Sequence, residues 1–188
     1  MTDTRSDHEL MAAWQGGDAR AFELLYARHR RSLYGFLVHQ AGSAADDLFQ
    51  EVWMTFIRQR DSWQPLASLR TFLFRIAHSR LVDHYRAQGR RFTDEGVDPD
   101  ELADEGSCAF AMQEQQAQRR ALEQCLADLP PEQREAFLFS EERELSLADI
   151  AAITGAGAET VKSRVRYAIR RLRACLRGLL GEAAGAGA

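Results

Sequence analysis

The chain has 188 residues, 45% of them hydrophobic, and a formal net charge of −4, which allows one or two domains with real cores. No run is long and apolar enough for a membrane span, and the opening MTDTRSDHEL lacks the basic-then-apolar pattern of a signal peptide, so a cytoplasmic location is expected. Cys108, Cys125 and Cys175 lie far apart, with no CxxC pair and no histidine ladder, which argues for buried or free thiols and against a disulfide framework or a zinc site.

Residues 1–91 carry 13 basic and 10 acidic groups and read as helices throughout. Phe22, Leu25, Tyr26, Leu33, Phe36 and Leu37 return at three and four residues, and Gly16–Gly17 followed by Asp18 reads as a helix stop and a new N-cap. Another helix is predicted to start near Ser43, with Asp46 and Asp47 in its first turn. Over residues 44–57, Leu48, Val52 and Phe56 make an apolar stripe that Phe49 and Trp53 widen, while Met54 and Ile57 lie on the side of Asp46 and Gln50. Such a helix is either the centre of an ordinary bundle or is buried twice, once in its own core and once by a partner.

RDSWQP reads as a loop, because Pro65 disfavours helix in the residue before it. SLRTFLFRIAHSRLVDHYRAQGRR then reads as a long helix mixing arginine with aromatic rings. Phe74, Ile76, Leu81 and Val82 suit a core. Cations interleaved with rings also suit single-stranded nucleic acid, whose bases stack on rings while guanidinium groups hold the backbone. Trp63, in a polar loop, is expected to lie outside the core, where it could catch a base expelled from a duplex.

Residues 92–118 hold eight acidic groups and no basic one, with little periodicity, and read as a flexible linker. A second helical domain follows, with Pro131 at a helix start. Ser146 and Asp149 form a capping-box-like start for LADIAAIT, and Gly155 and Gly157 separate that helix from one beginning near Ala158. Helix, short glycine turn, helix is the pattern of a helix-turn-helix. At about 100° per residue, Val165, Ala168, Leu172 and Cys175 fall close to Val161 in a buried seam. Lys162, Ser163, Arg166, Arg170, Arg173 and Arg177 gather on another side, with Glu159 beside them and Arg164 and Arg171 flanking. Residues 160–188 thus carry seven basic groups against one acidic, aimed at duplex DNA: short polar groups for base edges, arginines for phosphates.

His8, His29, His39, His78 and His84 lack metal-ligand spacing, and no phosphate loop, nucleophile elbow or HExxH occurs. No cofactor, no metal and no catalytic residue is expected. A helix-turn-helix by itself would also suit a stand-alone transcriptional regulator whose N-terminal domain dimerises or senses a ligand.

The stretches GDARAFELLY, DDLFQEVWMTF, SLRTFLFRIAHSRLVDHYR, LPPEQREAFLF and SLADIAAITGAGAETVKSRVRYAIRRLR, in that order, resemble the extracytoplasmic-function sigma factors of bacterial RNA polymerase over about residues 8–175. The resemblance implies an all-α chain of two helical domains: residues 1–92 as region 2, 93–118 as an acidic linker threading toward the RNA channel, 119–178 as region 4, and 179–188 as a disordered tail. It implies a non-catalytic specificity subunit that binds core polymerase, through the β′ clamp helices and β flap, and promoter DNA. An anti-sigma factor often holds such proteins inactive. Asp47, Leu48, Gln50, Glu51 and Met54 would then dock on the clamp helices. Trp63, Arg70, Phe72, Arg75, His78, Ser79 and Arg80 would melt and read the −10 element. Glu159, Thr160, Lys162, Ser163, Arg164, Arg166 and Arg170 would read the −35 element. The family usually has Arg-Asn where this chain has His78–Ser79, often tryptophan at Phe72, commonly phenylalanine at Trp53, and a less glycine-rich turn than TGAGAET.

Overall fold

The computed structural model describes residues 4–64, 67–89, 111–142 and 144–185, which form eight α-helices and no strand among them. Helix α1 (Asp7–Gln15) starts at a capping box in which the Ser6 hydroxyl accepts from the Glu9 amide and the Glu9 carboxylate accepts from the Ser6 amide. Gly16 and Gly17 stop it, Gly17 in a left-handed conformation open to glycine (φ 101°). Asp18 caps α2 (Ala19–Ala41) by accepting from the Arg20 amide. Helix α3 (Ala45–Arg58) begins one residue later than a Ser43 cap would place it: a 3₁₀ turn, Gly42–Ala44, precedes it, and no side chain caps α3. The Ser68 hydroxyl caps α4 (Leu69–Ala87) by accepting from the Thr71 amide at 3.1 Å.

Helix α5 (Ala111–Ala127) begins inside the segment expected to be linker, because AMQEQQAQRR is built of good helix formers despite the acids before it. The rest of that segment up to residue 110 lies outside the described residues. Pro131 occupies the first position of α6 (Pro131–Glu141). Ser146 and Asp149 make a full capping box on α7 (Leu147–Thr154), and hydrogen bonds from Ser146 hold the Asp149 carboxyl below its ordinary value. Gly155, at φ 69°, ends α7 in the left-handed conformation that glycine tolerates best. Helix α8 (Ala158–Gly185) then runs well into the stretch expected to be a disordered tail; alanine, leucine and glutamate there favour the helix.

Helices α1–α4 surround a core of Leu10, Met11, Leu25, Leu37, Val52, Phe56, Leu73 and Leu81. That core continues into the second unit through Phe139, Ile150, Ile153 and Val161. Phe139 of α6 stacks on Phe36 of α2 at 4.6 Å between ring centroids and meets Phe74 of α4 edge-on at 5.3 Å. Beside the rings, the buried Arg134 donates to the Gln40 side chain and backbone carbonyl, and the Tyr85 hydroxyl donates to the same carbonyl. Burial lowers the Arg134 pKa, but its guanidinium keeps carbonyl partners on both sides of the interface. A second, smaller core of Cys125, Leu126, Leu129, Ala168 and Leu172 joins α5 to α8. There Cys125 and Cys175 form a disulfide, contrary to the free thiols expected from their fifty-residue separation.

Candidate polymerase and nucleic-acid interfaces

The outer face of α3 is unlike the rest of the first unit. Asp47, Gln50, Glu51 and Met54 are exposed, Met54 at 53%, and Ile57 extends the apolar part at 41%. Leu48 does not belong with them: it is 4% exposed and packs inward. Trp53 is also internal, ringed by Phe22, Tyr26, Phe49 and Phe56. The helix therefore has a true outer face of acids around a large apolar side chain, which water solvates poorly.

Helix α8 presents the predicted seam and cation row. Val161, Ala168 and Leu172 are buried, and Lys162, Arg166, Arg170, Arg173 and Arg177 are exposed along one side. These cations edge a groove of about 670 Å³ whose floor is Leu147, Val165 and Ile169. Tyr167 projects beside it with the Arg166 and Arg170 guanidinium groups over its ring, at 5.4 and 5.1 Å. At the N-terminal end the Lys162 ammonium donates to Glu159 at 2.7 Å and holds that carboxyl below its ordinary value, while the Ser163 hydroxyl donates to the Thr160 carbonyl. Arg164 stands apart: it is half-buried and donates to Glu132 of α6, so it braces the helix instead of joining the exposed row. Arg173 and Arg177, which the helical wheel puts in the same row but the family resemblance does not add to the −35 set, extend it by one turn each.

On α4 the predicted set divides. Arg75 and Ser79 are exposed, and Arg80 is half-exposed beside Asp83 at 3.7 Å. Trp63 is 7% exposed, with His8 edge-on at 5.2 Å, so it is core and not the open loop residue expected. The neighbouring Gln15 amide donates to the Arg60 carbonyl and closes the loop over it. Phe72 is likewise buried against Phe56, and Arg75 lies over its other side at 5.4 Å. Arg70 and His78 are covered by the second unit. The Arg70 guanidinium donates to Glu142 and, at 2.8 Å, to Glu144. His78 Nδ1 lies 2.7 Å from Glu135, a carboxyl that burial pushes up. Ser32 donates to Glu142 at 2.5 Å and Thr71 to Asp149 at 3.3 Å, completing the polar rim around the Phe139 contact. Of these carboxylates, Asp149 was expected only as a helix cap, and Glu135, Glu142 and Glu144 were not expected to meet the first unit. Nothing in the local sequence pattern around Glu142 marks a partner on another helix.

The chain matches the family description Sigma-70 region 2 over residues 25–91 and Sigma-70, region 4 over residues 119–172. It is 33% identical to the ECF RNA polymerase sigma factor SigM of Mycobacterium tuberculosis over 94% of this chain and 86% of that protein. This chain belongs to the extracytoplasmic-function sigma factors. It is thus a sigma factor that associates with core RNA polymerase and promoter DNA and directs transcription initiation. The fold agrees. The sigma factor RpoE of Bartonella quintana, solved in complex with the anti-sigma factor NepR, is 26% identical with a TM-score of 0.64, covering 85% of this chain and 98% of that one. CnrH, solved in complex with the cytosolic domain of CnrY, is 25% identical with a TM-score of 0.65, covering 92% and 97%.

In this sigma factor the exposed α3 face and the α8 row lie on separate helical units, and the stretch matching region 2 ends two residues beyond Gly89. Among the described residues, no group of three or more histidine, cysteine or acidic side chains is placed to hold a metal ion, and no helix is long and apolar enough to cross a membrane.

Proposed function

We propose that the outer face of α3, through Asp47, Gln50, Glu51, Met54 and Ile57, docks on the β′ clamp helices of core polymerase. The second unit contacts the β flap and reads the −35 element with α8. There Glu159, Thr160, Lys162 and Ser163 approach base edges, and Arg166, Arg170, Arg173 and Arg177 hold phosphates. Arg70, Arg75, His78, Ser79 and Arg80 of α4 engage the −10 element, with Phe72 and Trp63 supporting them from the core. The protein carries no chemistry of its own and works in the cytoplasm beside the polymerase that does. The similar RpoE, solved in complex with the anti-sigma factor NepR, supports an inhibitory partner of that kind for this chain also.

The observation that carries the reading is the pairing of an apolar, acid-rimmed α3 face with a five-cation row on α8. A second observation adds to it. Arg70 and His78 cannot hold phosphates while they hold Glu142, Glu144 and Glu135. The packed arrangement is therefore the resting form, and the two units separate on the promoter. Scale supports this. Promoter elements about 25 base pairs apart lie about 85 Å apart along B-DNA, whereas a packed chain of this length has a radius of gyration of about 16 Å. Fully extended, the 21 residues between Gly89 and Ala111 reach about 70 Å.

Run-off transcription with core enzyme on a randomised promoter library tests the reading, and it should recover two spaced elements. Arg166→Ala should weaken initiation and reduce the slope of log affinity against log salt by about 0.9, the loss of one phosphate contact. Lys162→Ala should change which −35 bases are selected. Unchanged initiation by both variants at moderate salt refutes the α8 assignment.

A further inference from the structure

The small core of the second unit holds a pair of cysteines that region 4 does not need for reading DNA. Cys125 sits near the C-terminal end of α5 and Cys175 in the middle of α8, with Cα atoms 5.8 Å apart, and their sulfurs are bonded. The two helices run antiparallel: Leu126 and Leu129 pack with Ala168 and Leu172, while Ala121 and Gln124, earlier in α5, approach Leu179, later in α8. Cys125 is 1% exposed, whereas Cys175 is half-buried, so Cys175 is the less covered residue of the pair. Cys175 also lies between Arg173 and Arg177, on the opposite side of the same helix turns. The bond therefore anchors the stretch of α8 that carries the far end of the cation row.

A cytoplasmic pool of reduced thiols removes purely structural disulfides, and bonds that form there are usually transient and redox-sensing. Both states fit this site, since free cysteine behaves as a small hydrophobe in a core. We propose that Cys125 and Cys175 are a reversible thiol–disulfide site, oxidised by low-molecular-weight disulfides, that stiffens α8 against α5 and strengthens −35 binding. This rests on the sigma-factor reading of α8 given above.

The chemistry balances as two exchanges. The Cys175 thiol loses its proton, attacks the disulfide RSSR and forms a mixed disulfide, and the expelled RS⁻ takes up that proton. Cys125 then loses its proton and attacks the Cys175 sulfur, closing the protein bond and releasing a second RSH. Two electrons pass from the protein dithiol to RSSR. The buried Cys125 is the resolving partner, and Cys175 is the entry point because it is the less buried residue of the two.

The test uses the full chain carrying Cys108→Ser, so that only this pair responds, equilibrated in reduced and oxidised glutathione at several ratios. Alkylation mass shifts report the thiols, far-UV circular dichroism reports melting, and fluorescence anisotropy reports binding to a −35 duplex. Two thiols should appear and disappear reversibly with the ratio. The oxidised form should melt on the order of 10 °C higher and bind the duplex about threefold more tightly, because less ordering remains to be done on binding. Cys175→Ser should match the reduced form at every ratio. A bond that reduced glutathione does not open, thiols that stay alkylatable in oxidised glutathione, or equal duplex affinity in both states would overturn the proposal. Run-off transcription by the Cys108→Ser protein with core enzyme separates the two readings: activity that does not change with the glutathione ratio defeats only the switch, whereas inactivity with intact core binding and folding defeats the α8 assignment beneath it.

Discussion

Replacing Phe139 with alanine should part the two helical units while each keeps its helices. Phe139 belongs to α6, is fully buried, and makes its two ring contacts with Phe36 and Phe74 of the first unit. Truncating a buried phenylalanine costs about 3–5 kcal/mol, of which the two ring pairs account for about 0.5–1.5 kcal/mol each. If the whole loss falls on the contact between units, the packed-to-open ratio drops by roughly 10² to 5 × 10³. Small-angle scattering is the direct assay. The wild-type free chain should give a radius of gyration near 16 Å, and Phe139→Ala should give a clearly larger one at unchanged helicity by circular dichroism. The same variant should bind a −10 single strand more tightly, since Arg70 and His78 are released. An unchanged radius with a lowered melting temperature would refute the reasoning, because Phe139 would then be serving only its own unit. Lost helicity in residues of the second unit would refute it equally.

Glu142→Ala with Glu144→Ala should have the same direction and a smaller size. Arg70 is 14% exposed on its side chain, Glu142 23% and Glu144 66%, so about 1–2 kcal/mol is expected after allowing for solvent at the outer pair; the free chain should gain −10 strand affinity by titration. Met54→Asp with Gln50→Ala should abolish association with core polymerase in a pull-down while moving the melting temperature little, because both residues are exposed and surface changes are worth within about 0.5 kcal/mol. Stability should also depend on pH through Glu135. Burial raises its pKa above the ordinary 4.5, so its contribution is complete below that value and is lost as pH rises through the raised one; Glu135→Gln should flatten that part of a melting-temperature profile. At the acid end the sign reverses: burial opposes ionisation of Asp7, but His29 and Arg28 outweigh it and lower the pKa, so that contribution is lost as pH falls below the usual 3.8.

What the sequence revealed and what it hid follow from the range of the forces involved. The seam of α8, its cation row and the Ser146–Asp149 box were legible because each depends on spacings of three or four residues within one helix. The disulfide was not, because it requires α5 and α8 to pack antiparallel at one register, a fact fifty residues wide. Phe36, Phe74 and Phe139 show the same limit. Each looks like ordinary core in its own helix, and only the fold reveals that the three meet between units. Trp63 misled for a complementary reason. Its neighbours in sequence are polar, but Gln15 and His8 from α1 close over it.

The packed form leaves two of the three proposed surfaces open and covers part of the third. Met54 and Ile57 on α3, and Lys162, Arg166 and Arg170 on α8, face solvent, whereas Arg70 and His78 on α4 face the second unit's carboxylates. This asymmetry sets an order of events. Under the proposed assignment, docking on core polymerase through α3 meets no conformational barrier, so its affinity is undiminished in the resting form. Engagement of the −10 element is weakened by the fraction of chains that are open; an opening free energy of about 3 kcal/mol makes that fraction under about 1% and reduces apparent affinity by more than a hundredfold. A free sigma factor so built leaves promoter strands alone at its own concentration. On the proposed assignment, core polymerase that holds α3 and draws the units apart lets the same α4 residues act at full strength.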